Sequence, residues 1–370
     1  MTVDAGLAQA SDRLLFAAVV CYAVAMLGYA AEFAFGRRSA RSMPPIAGGA
    51  TDAMPEHWSP PGSRMARLAE RSDRGWAATV GQLAVAVTVV GWALHNGWAV
   101  TRGLAADRVP WGNMFEFSAM VCLVAVTAFL VLQSRARVRH LGAFVMLPVV
   151  LYLGLAGTVL YVPVAPLMPA LNSYWIKIHV VGAMTASGVF MLAFAVTVLY
   201  LAKYAWELRH PAVEESRWQR LPAAATLDRL AYRITAFAFP VWTFAVIAGA
   251  IWAEAAWGRY WGWDPKETWS FITWVVYAGY LHARSTSGWR GPKAALVAVA
   301  GFASLMICYY AVNSGSPGCT PTPGSSRAPR FARRGALPLS WRAHLPPLPR
   351  RPRGRRDADA QRAERHRSRR

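Results

Sequence analysis

The 370-residue chain is 55% hydrophobic and only 16% charged, yet its formal net charge is +21 and it holds 17 tryptophans. A soluble globular domain does not combine these numbers, since about a quarter of an average chain is charged. The basicity is concentrated at one end, where Ser325–Arg370 carry 15 Arg and three acids while the first 324 residues hold 25 basic and 16 acidic residues, a distribution that argues against a nucleic-acid partner for the body of the chain.

About 20 apolar residues cross a hydrocarbon core about 30 Å thick. Eight stretches qualify in chain order: Leu14–Phe35, Trp76–Val100, Met114–Leu132, Leu141–Tyr161, Tyr174–Leu201, Ile234–Trp252, Trp269–Ala283 and Ala294–Val312. The expected fold class is all-α, a polytopic integral membrane protein of about eight transmembrane helices. The first stretch is followed by Arg37 and Arg38 with no small-residue cleavage pattern, so it reads as a retained span rather than a signal peptide.

Four alternate connections hold 7, 3, 6 and 3 basic residues, whereas the other three hold Arg102 with Arg108, none, and Arg259 with Lys266. The first set is therefore cytoplasmic, and both termini face outward. Cys21, Cys122 and Cys308 fall within spans and Cys319 in the tail, without a CxxC pair, so the chain brings no thiol relay of its own.

The outward loop after the sixth span is the most unusual segment, with six tryptophans between Trp252 and Trp274. Trp252, Trp269 and Trp274 lie at span ends or within a span, where indoles anchor in the membrane interface. Trp257, Tyr260, Trp261 and Trp263 crowd around glycines in the loop itself and suit a large flat ligand that stacks on aromatic faces. Asp264-Pro265-Lys266-Glu267 has the pattern of an N-cap, a first-turn proline and a third-position glutamate, which together cap the seventh span. Asn113-Met-Phe-Glu116 repeats the pattern at the third span. Arg259 and Lys266 are then available as outward cations for a carboxylate-bearing ligand.

Two histidines fall within spans, where ionisable residues are costly and mark functional positions. Four residues past Trp175, His179 lies about 6 Å deep; His282, 13 past Trp269, lies about 20 Å deep. Two axial nitrogens on one iron stand only about 4 Å apart, so these two cannot share a metal. Each needs a second ligand from elsewhere, and His95, near the outer end of the second span, is an in-chain candidate partner for His179. His57, His140, His210, His344 and His366 fall in connections or the tail and read as solvated.

The run Trp257-Gly-Arg-Tyr-Trp-Gly-Trp-Asp-Pro-Lys-Glu-Thr-Trp-Ser-Phe-Ile-Thr-Trp274 closely resembles the WWD signature of the CcsA/ResC family, the membrane subunit of the System II cytochrome c synthase, in the form that actinobacteria often label CcsB. Pro110-Trp-Gly-Asn-Met-Phe-Glu-Phe117, Leu171-Asn-Ser-Tyr-Trp-Ile-Lys-Ile-His179 and Tyr280-Leu-His282 agree with it. A WWD loop also occurs in haem-handling proteins of System I, but the Asp-Pro-Lys-Glu-Thr-Trp continuation is typical of System II. The resemblance implies a membrane domain over residues 1–313, with the WWD loop at 252–274 on the outer face of the cell membrane. It implies that haem b is both substrate and bound ligand, with Trp257, Tyr260, Trp261, Trp263 and Asp264 around it. His179 would be an axial ligand of the outer haem, and His282 of a second haem within the membrane. The other ligand of that inner haem would come from a CcsB/ResB-type partner subunit. The implied activity is that of a haem lyase subunit, joining haem vinyls to the thiols of Cys-x-x-Cys-His in an apocytochrome c that separate thiol-reducing proteins keep reduced. A haem exporter or carrier without ligation chemistry is the alternative.

Residues 314–370 depart from the family. There the resemblance implies a Gly-Leu-His-Ser-Tyr motif that supplies the second outer ligand, and this chain instead has a Pro/Arg-rich tail, expected to be disordered. Read from the third base, the codons of Gly318-Cys-Thr-Pro-Thr-Pro-Gly324 permit Leu-His-Ser-Tyr-Ala-Gly, and the preceding junction permits Gly. The expectation is that the tail is a frameshifted reading of the motif.

Overall fold

The computed structural model describes residues 4–36, 63–136, 138–165, 173–210, 217–286 and 288–311. The tail, with Cys319 and the expected frameshift, lies outside them, as do His57, His344 and His366. The described residues form eight α-helices: α1 (Ala5–Phe35), α2 (Ser63–Ala106), α3 (Met114–Arg135), α4 (Gly142–Val159), α5 (Tyr174–Arg209), α6 (Ala224–Trp257), α7 (Pro265–Thr286) and α8 (Pro292–Met306). α8 continues as a π-turn, Ile307–Ala311. Seven of the eight are long and apolar enough to cross a membrane, and the chain is a multi-pass membrane protein. α7 is the exception, because its 22 residues include Lys266, Glu267, His282 and Arg284 among several hydroxyls.

Hydrocarbon offers no hydrogen-bond partner, so a spanning backbone must bond itself, and a helix does so completely. The hydroxyls inside the spans follow the same rule by bonding the carbonyl four residues back, as Thr88 does to Ala84 at 2.8 Å, Thr197 to Ala193 at 2.7 Å and Thr235 to Ala231 at 2.9 Å. α3 and α5 are the most enclosed helices. They approach closely because a Cβ on Gly188 would stand 2.7 Å from both the Val121 carbonyl and the Val124 side chain. α1, α2 and α4 pack around one side of this pair, and α6, α7 and α8 around the other.

Hydrogen bonds and ion pairs show which helix ends share a face. On one face, Asp4 N–H at the start of α1 donates to the Ala105 carbonyl near the end of α2, Ser118 near the start of α3 bonds Tyr310 beyond α8 at 2.6 Å, and Arg102 of α2 donates to Val162 beyond α4 at 2.6 Å. This face carries the aromatic loop and is the one that the charge pattern predicts to be outward. On the other face, Arg139 pairs with Glu32, and Arg284 of α7 forks onto both oxygens of Asp228 on α6 at 2.6 and 2.9 Å.

The face that carries the loop is pinned by buried charge. Glu116 is fully buried, as is the Arg102 side chain, whose Nε donates to Glu116 Oε1 at 2.9 Å. Arg108 adds bonds to both oxygens at 2.7 and 3.0 Å, and Gly112 N–H adds one at 2.8 Å. The expected cap is present too, with Glu116 N–H donating to Asn113 Oδ1 at 2.8 Å. Asn113 therefore caps α3 through the Glu116 N–H, while the Glu116 carboxylate holds two arginines that the charge pattern only counted among the basic residues of their connection. Removing one member of a buried ion pair typically costs about 3–5 kcal/mol. Glu116→Ala should lower the thermal unfolding midpoint in detergent sharply, and a Glu116→Ala/Arg102→Leu double variant should recover part of the loss; equal midpoints for wild type and Glu116→Ala would contradict this.

Candidate functional site

α6 ends on Gly258, whose φ of 69° is left-handed and whose N–H bonds Glu254 O at 2.8 Å. Glycine takes this conformation without a Cβ penalty, so it closes the helix and turns the chain into the loop. The loop re-enters α7 through the expected capping box: Glu267 N–H donates to Asp264 Oδ1 at 2.8 Å, and Glu267 Oε2 accepts from Asp264 N–H at 3.3 Å. Glu267 Oε2 also accepts from Gly262 N–H at 2.6 Å. Between these two donors lies Trp263 with φ 57°, a conformation that a bulky residue adopts only under restraint. Glu267 thus holds the peptides on both sides of a strained tryptophan while it caps the helix.

Below the loop is a cavity of about 270 Å³ between α5, α6, α7 and the π-turn. Of the residues predicted from sequence, His179, Trp257, Tyr260, Trp261, Asp264 and Lys266 line it. Trp263 does not; it is 66% exposed and meets Trp261 and Phe271 edge-on. Arg259 leans toward Glu267, with a closest approach of 3.9 Å, and over the Trp257 ring. Neither acid is a free carboxylate, because Asp264 and Glu267 are both engaged in the cap.

His179 lies on the second turn of α5 and its Nδ1 is 2.7 Å from Ala245 O on α6. A carbonyl only accepts, so Nδ1 carries the proton and the Nε2 lone pair is left for a ligand. This backbone bond is the orienting partner that ligating histidines generally have. The ring is seated over Gly249, where a Cβ would stand 2.6 Å from Nδ1.

His95 is not part of this cavity. It is fully buried in the α1–α2 core, with Nδ1 3.3 Å from Tyr22 OH and its ring against Trp98, so it is not the partner of His179. His282 is exposed on α7. It lies two residues past the buried Tyr280, about 200° around the helix and therefore on the opposite face. The two histidines occupy separate places, as the depth difference requires. Among the described residues no three of His, Cys, Asp and Glu gather as a cage for a bare metal ion.

Several cavity residues escaped the sequence reading. Trp252, assigned there to the interface belt, lines the cavity and packs edge-on to Trp257 at 4.9 Å. Trp242 reaches it from nearly three turns deeper on α6 than Trp252, and Cys308 and Tyr309 from the π-turn. Cys308 Sγ donates to Lys266 O at 3.6 Å, and Tyr309 OH bonds Ser187 at 3.1 Å. A π-turn often marks a functional position, but no residue pattern in Ile307-Cys-Tyr-Tyr-Ala311 announces one. Trp274, by contrast, anchors within the bundle, its Nε1 donating to Thr243 at 2.9 Å.

The sequence profile of the cytochrome c assembly protein family matches residues 111–319. The chain is also similar to the cytochrome c biogenesis protein CcsA of Trieres chinensis, at 34% identity over 58% of this chain and 77% of that one. The CcsA proteins of Gloeothece citriformis (36% identity, 57% and 78%) and Synechocystis (35% identity, 57% and 79%) resemble it equally. The matched region holds the capped starts of α3 and α7, His179 and the aromatic loop, and with identity above a third across more than three quarters of each of these relatives, the chain belongs to the CcsA family of cytochrome c biogenesis proteins.

Proposed function

We propose that this protein carries haem b from the cytoplasmic to the outer face of the cell membrane. There it presents haem for attachment to an apocytochrome c, acting with a CcsB/ResB-type membrane subunit. The observation that carries the reading is the pairing of an oriented imidazole, His179 with Nε2 free, with the aromatic walls of Trp252, Trp257, Tyr260 and Trp261 in one cavity under the outer loop. A nitrogen ligand beside stacking indoles is what a planar iron macrocycle requires. His282, exposed on the far side of α7, is the ligand of a second haem shared with the partner subunit.

Attachment adds each thiol S–H of Cys-x-x-Cys-His across a haem vinyl double bond, sulfur to one carbon and hydrogen to the other, with no net oxidation. The protein's part is to hold haem and thiols in register, which by itself lowers the barrier substantially. Separate thiol-reducing proteins supply the reduced apocytochrome, since the described cysteines of this chain, Cys21, Cys122 and Cys308, all lie within spans.

The second outer axial ligand is the Leu-His-Ser-Tyr that the third-base frame across Gly318–Gly324 permits, and the tail is a frameshift product. The family match supports this by running to residue 319, inside that segment. Translated as written, the chain fits the second reading, a haem carrier without ligation, because His179 is the one histidine among the described residues that lines the outer cavity.

Co-expressed with its partner, the purified protein should show a haem Soret band, and the pair should yield covalently haem-bound cytochrome c in a host lacking its own system; free haem without the covalent product would identify the carrier. His282→Ala should empty the inner site and leave the outer one. Gly249→Ala should displace the His179 ring and lower outer-site haem selectively; unchanged haem content in both variants would refute the assignment. The nucleotide sequence tests the tail, since a third-base frame lacking Leu-His-Ser-Tyr rules the frameshift out.

A further inference from the structure

A second cavity, of about 610 Å³, opens at the face opposite the aromatic loop, among the ends of α1 and α3 and the connection to α4. Its lining is mainly polar and charged, with Glu32, Gln133, Ser134, Arg135, Arg139 and His140. Glu32 pairs with Arg139, so these two charges offset each other. Arg135 is exposed, and among the described residues its side chain has neither an ion pair nor a hydrogen bond. The rim thus carries a positive charge with no counter-ion among the described residues. The connection is basic in sequence as well, with Arg135, Arg137 and Arg139 at alternate positions.

Through Gln133 and Ser134 the cavity runs into an apolar groove of about 510 Å³ between α2 and α3. Helical spacing builds the groove, setting Val85, Val89 and Trp92 on one face of α2 against Thr127, Leu130 and Val131 on one face of α3. The Trp92 indole N–H donates to the Thr127 hydroxyl at 2.9 Å, so the polar atoms there satisfy each other and the wall that remains is hydrocarbon and ring. Val89 and Val131 are 44% and 51% exposed, which leaves the groove open along its side. From Thr127 to Ser134 it runs about 10 Å, roughly two thirds of one leaflet of a hydrocarbon core about 30 Å thick. Its end is the end of α3, where Arg135 stands.

We propose that groove and cavity together bind an anionic phospholipid, with one acyl chain along α2 and α3, the phosphate at Arg135 and the rest of the headgroup in the polar cavity. An apolar slot of this length that ends on an uncompensated cation matches a ligand with a hydrocarbon tail and a negative head. Charge sets the choice among phospholipids. A zwitterionic headgroup brings its own ammonium, and the one carboxylate in the lining, Glu32, is already held by Arg139. An anionic headgroup brings only the charge that Arg135 lacks. The charge pattern predicts this face to be cytoplasmic, and that leaflet is the one that carries anionic lipid and draws basic pockets between helices to it. The site is separate from the cavity under the aromatic loop and does not depend on haem carriage.

Native mass spectrometry of the full-length protein, delipidated in detergent and titrated with phosphatidylglycerol or phosphatidylcholine, tests this directly. Phosphatidylglycerol should bind the more tightly. Arg135→Gln should weaken it about fivefold, the share of one basic residue at an anionic surface, and leave phosphatidylcholine unchanged, while Arg135→Lys should keep the preference. Val131→Trp, which fills the groove, should weaken both lipids. Equal affinity for the two lipids in the wild type, or phosphatidylglycerol binding that Arg135→Gln does not alter, would overturn the proposal. Displacement of the lipid by equimolar inorganic phosphate would also overturn it, by showing an anion site that makes no use of the groove. So would lipid binding untouched by Val131→Trp, since the groove would then be covered by a protein helix or by nothing.

Discussion

A polar atom enclosed within a bilayer must be bonded by another protein atom, and this requirement organises the whole molecule. It accounts for the helices, for the hydroxyls folded back onto carbonyls, for two arginines gathered on Glu116 and for the forked Arg284–Asp228 pair. Among the described residues, nine buried side-chain polar atoms escape it. Three belong to Trp242, Trp252 and Trp261, whose side chains line the cavity under the aromatic loop, and three to Glu32, Gln133 and His140, at the ends of α1 and α3 and in the connection to α4. His95, Trp98 and Tyr152, in the helical core, supply the rest. The fold satisfies its other buried groups, and six of the nine exceptions sit on residues beside cavities, where the enclosed atom gives up a bond so that the rest of the side chain can form the wall.

The outer loop meets a different demand, which is to keep an irregular segment in one conformation above a cavity. Local chemistry does this with few residues. Gly258 ends α6 in the left-handed region, Asp264 starts α7, and the Glu267 carboxylate bridges the peptides on either side of Trp263. A left-handed residue with a side chain costs about 1–2 kcal/mol, comparable to the capping bonds that surround it. The loop therefore holds its own strain, and Trp261 is turned inward while Trp263 is turned out.

Much of this was legible in the residue order, because membrane spans and caps are local. Apolar stretches located the helices, and the structure lengthens most of them by a turn or more into the interface: α1 starts at Ala5 rather than Leu14, and α6 ends at Trp257 rather than Trp252. The α7 capping box and the Asn113 cap of α3 were legible from spacing, although Glu116 turns its carboxylate to two arginines and Gly112 rather than closing a second box. The misses were tertiary. Nothing in the order of residues shows that His95 turns into the α1–α2 core, that Trp242 reaches the outer cavity from within α6, or that α8 finishes as a π-turn carrying Cys308 and Tyr309 to the same place. His140 read as a solvated loop residue because its connection is short and basic, whereas folding brings Glu32 from α1 against that connection and encloses it.

α7 joins these themes. Its 22 residues span about 33 Å, long enough to cross, yet only Thr273, Tyr277 and Tyr280 are buried, along one stripe, and its composition is too polar for lipid alone to hold it. Its position is set at the ends, by the Asp264–Glu267 box above and the Arg284–Asp228 fork below. Cation–π contacts of Arg284 with Tyr232 and Tyr280, at 4.8 and 5.7 Å, fix its rotation. That rotation decides where His282 points, since the fork turns the buried stripe toward α6 and α8 and so leaves the histidine on the outside of the bundle. A helix anchored by its termini can keep a polar outward face that a lipid-held helix could not, and His282 stands on that face, where the second membrane subunit proposed above would meet it.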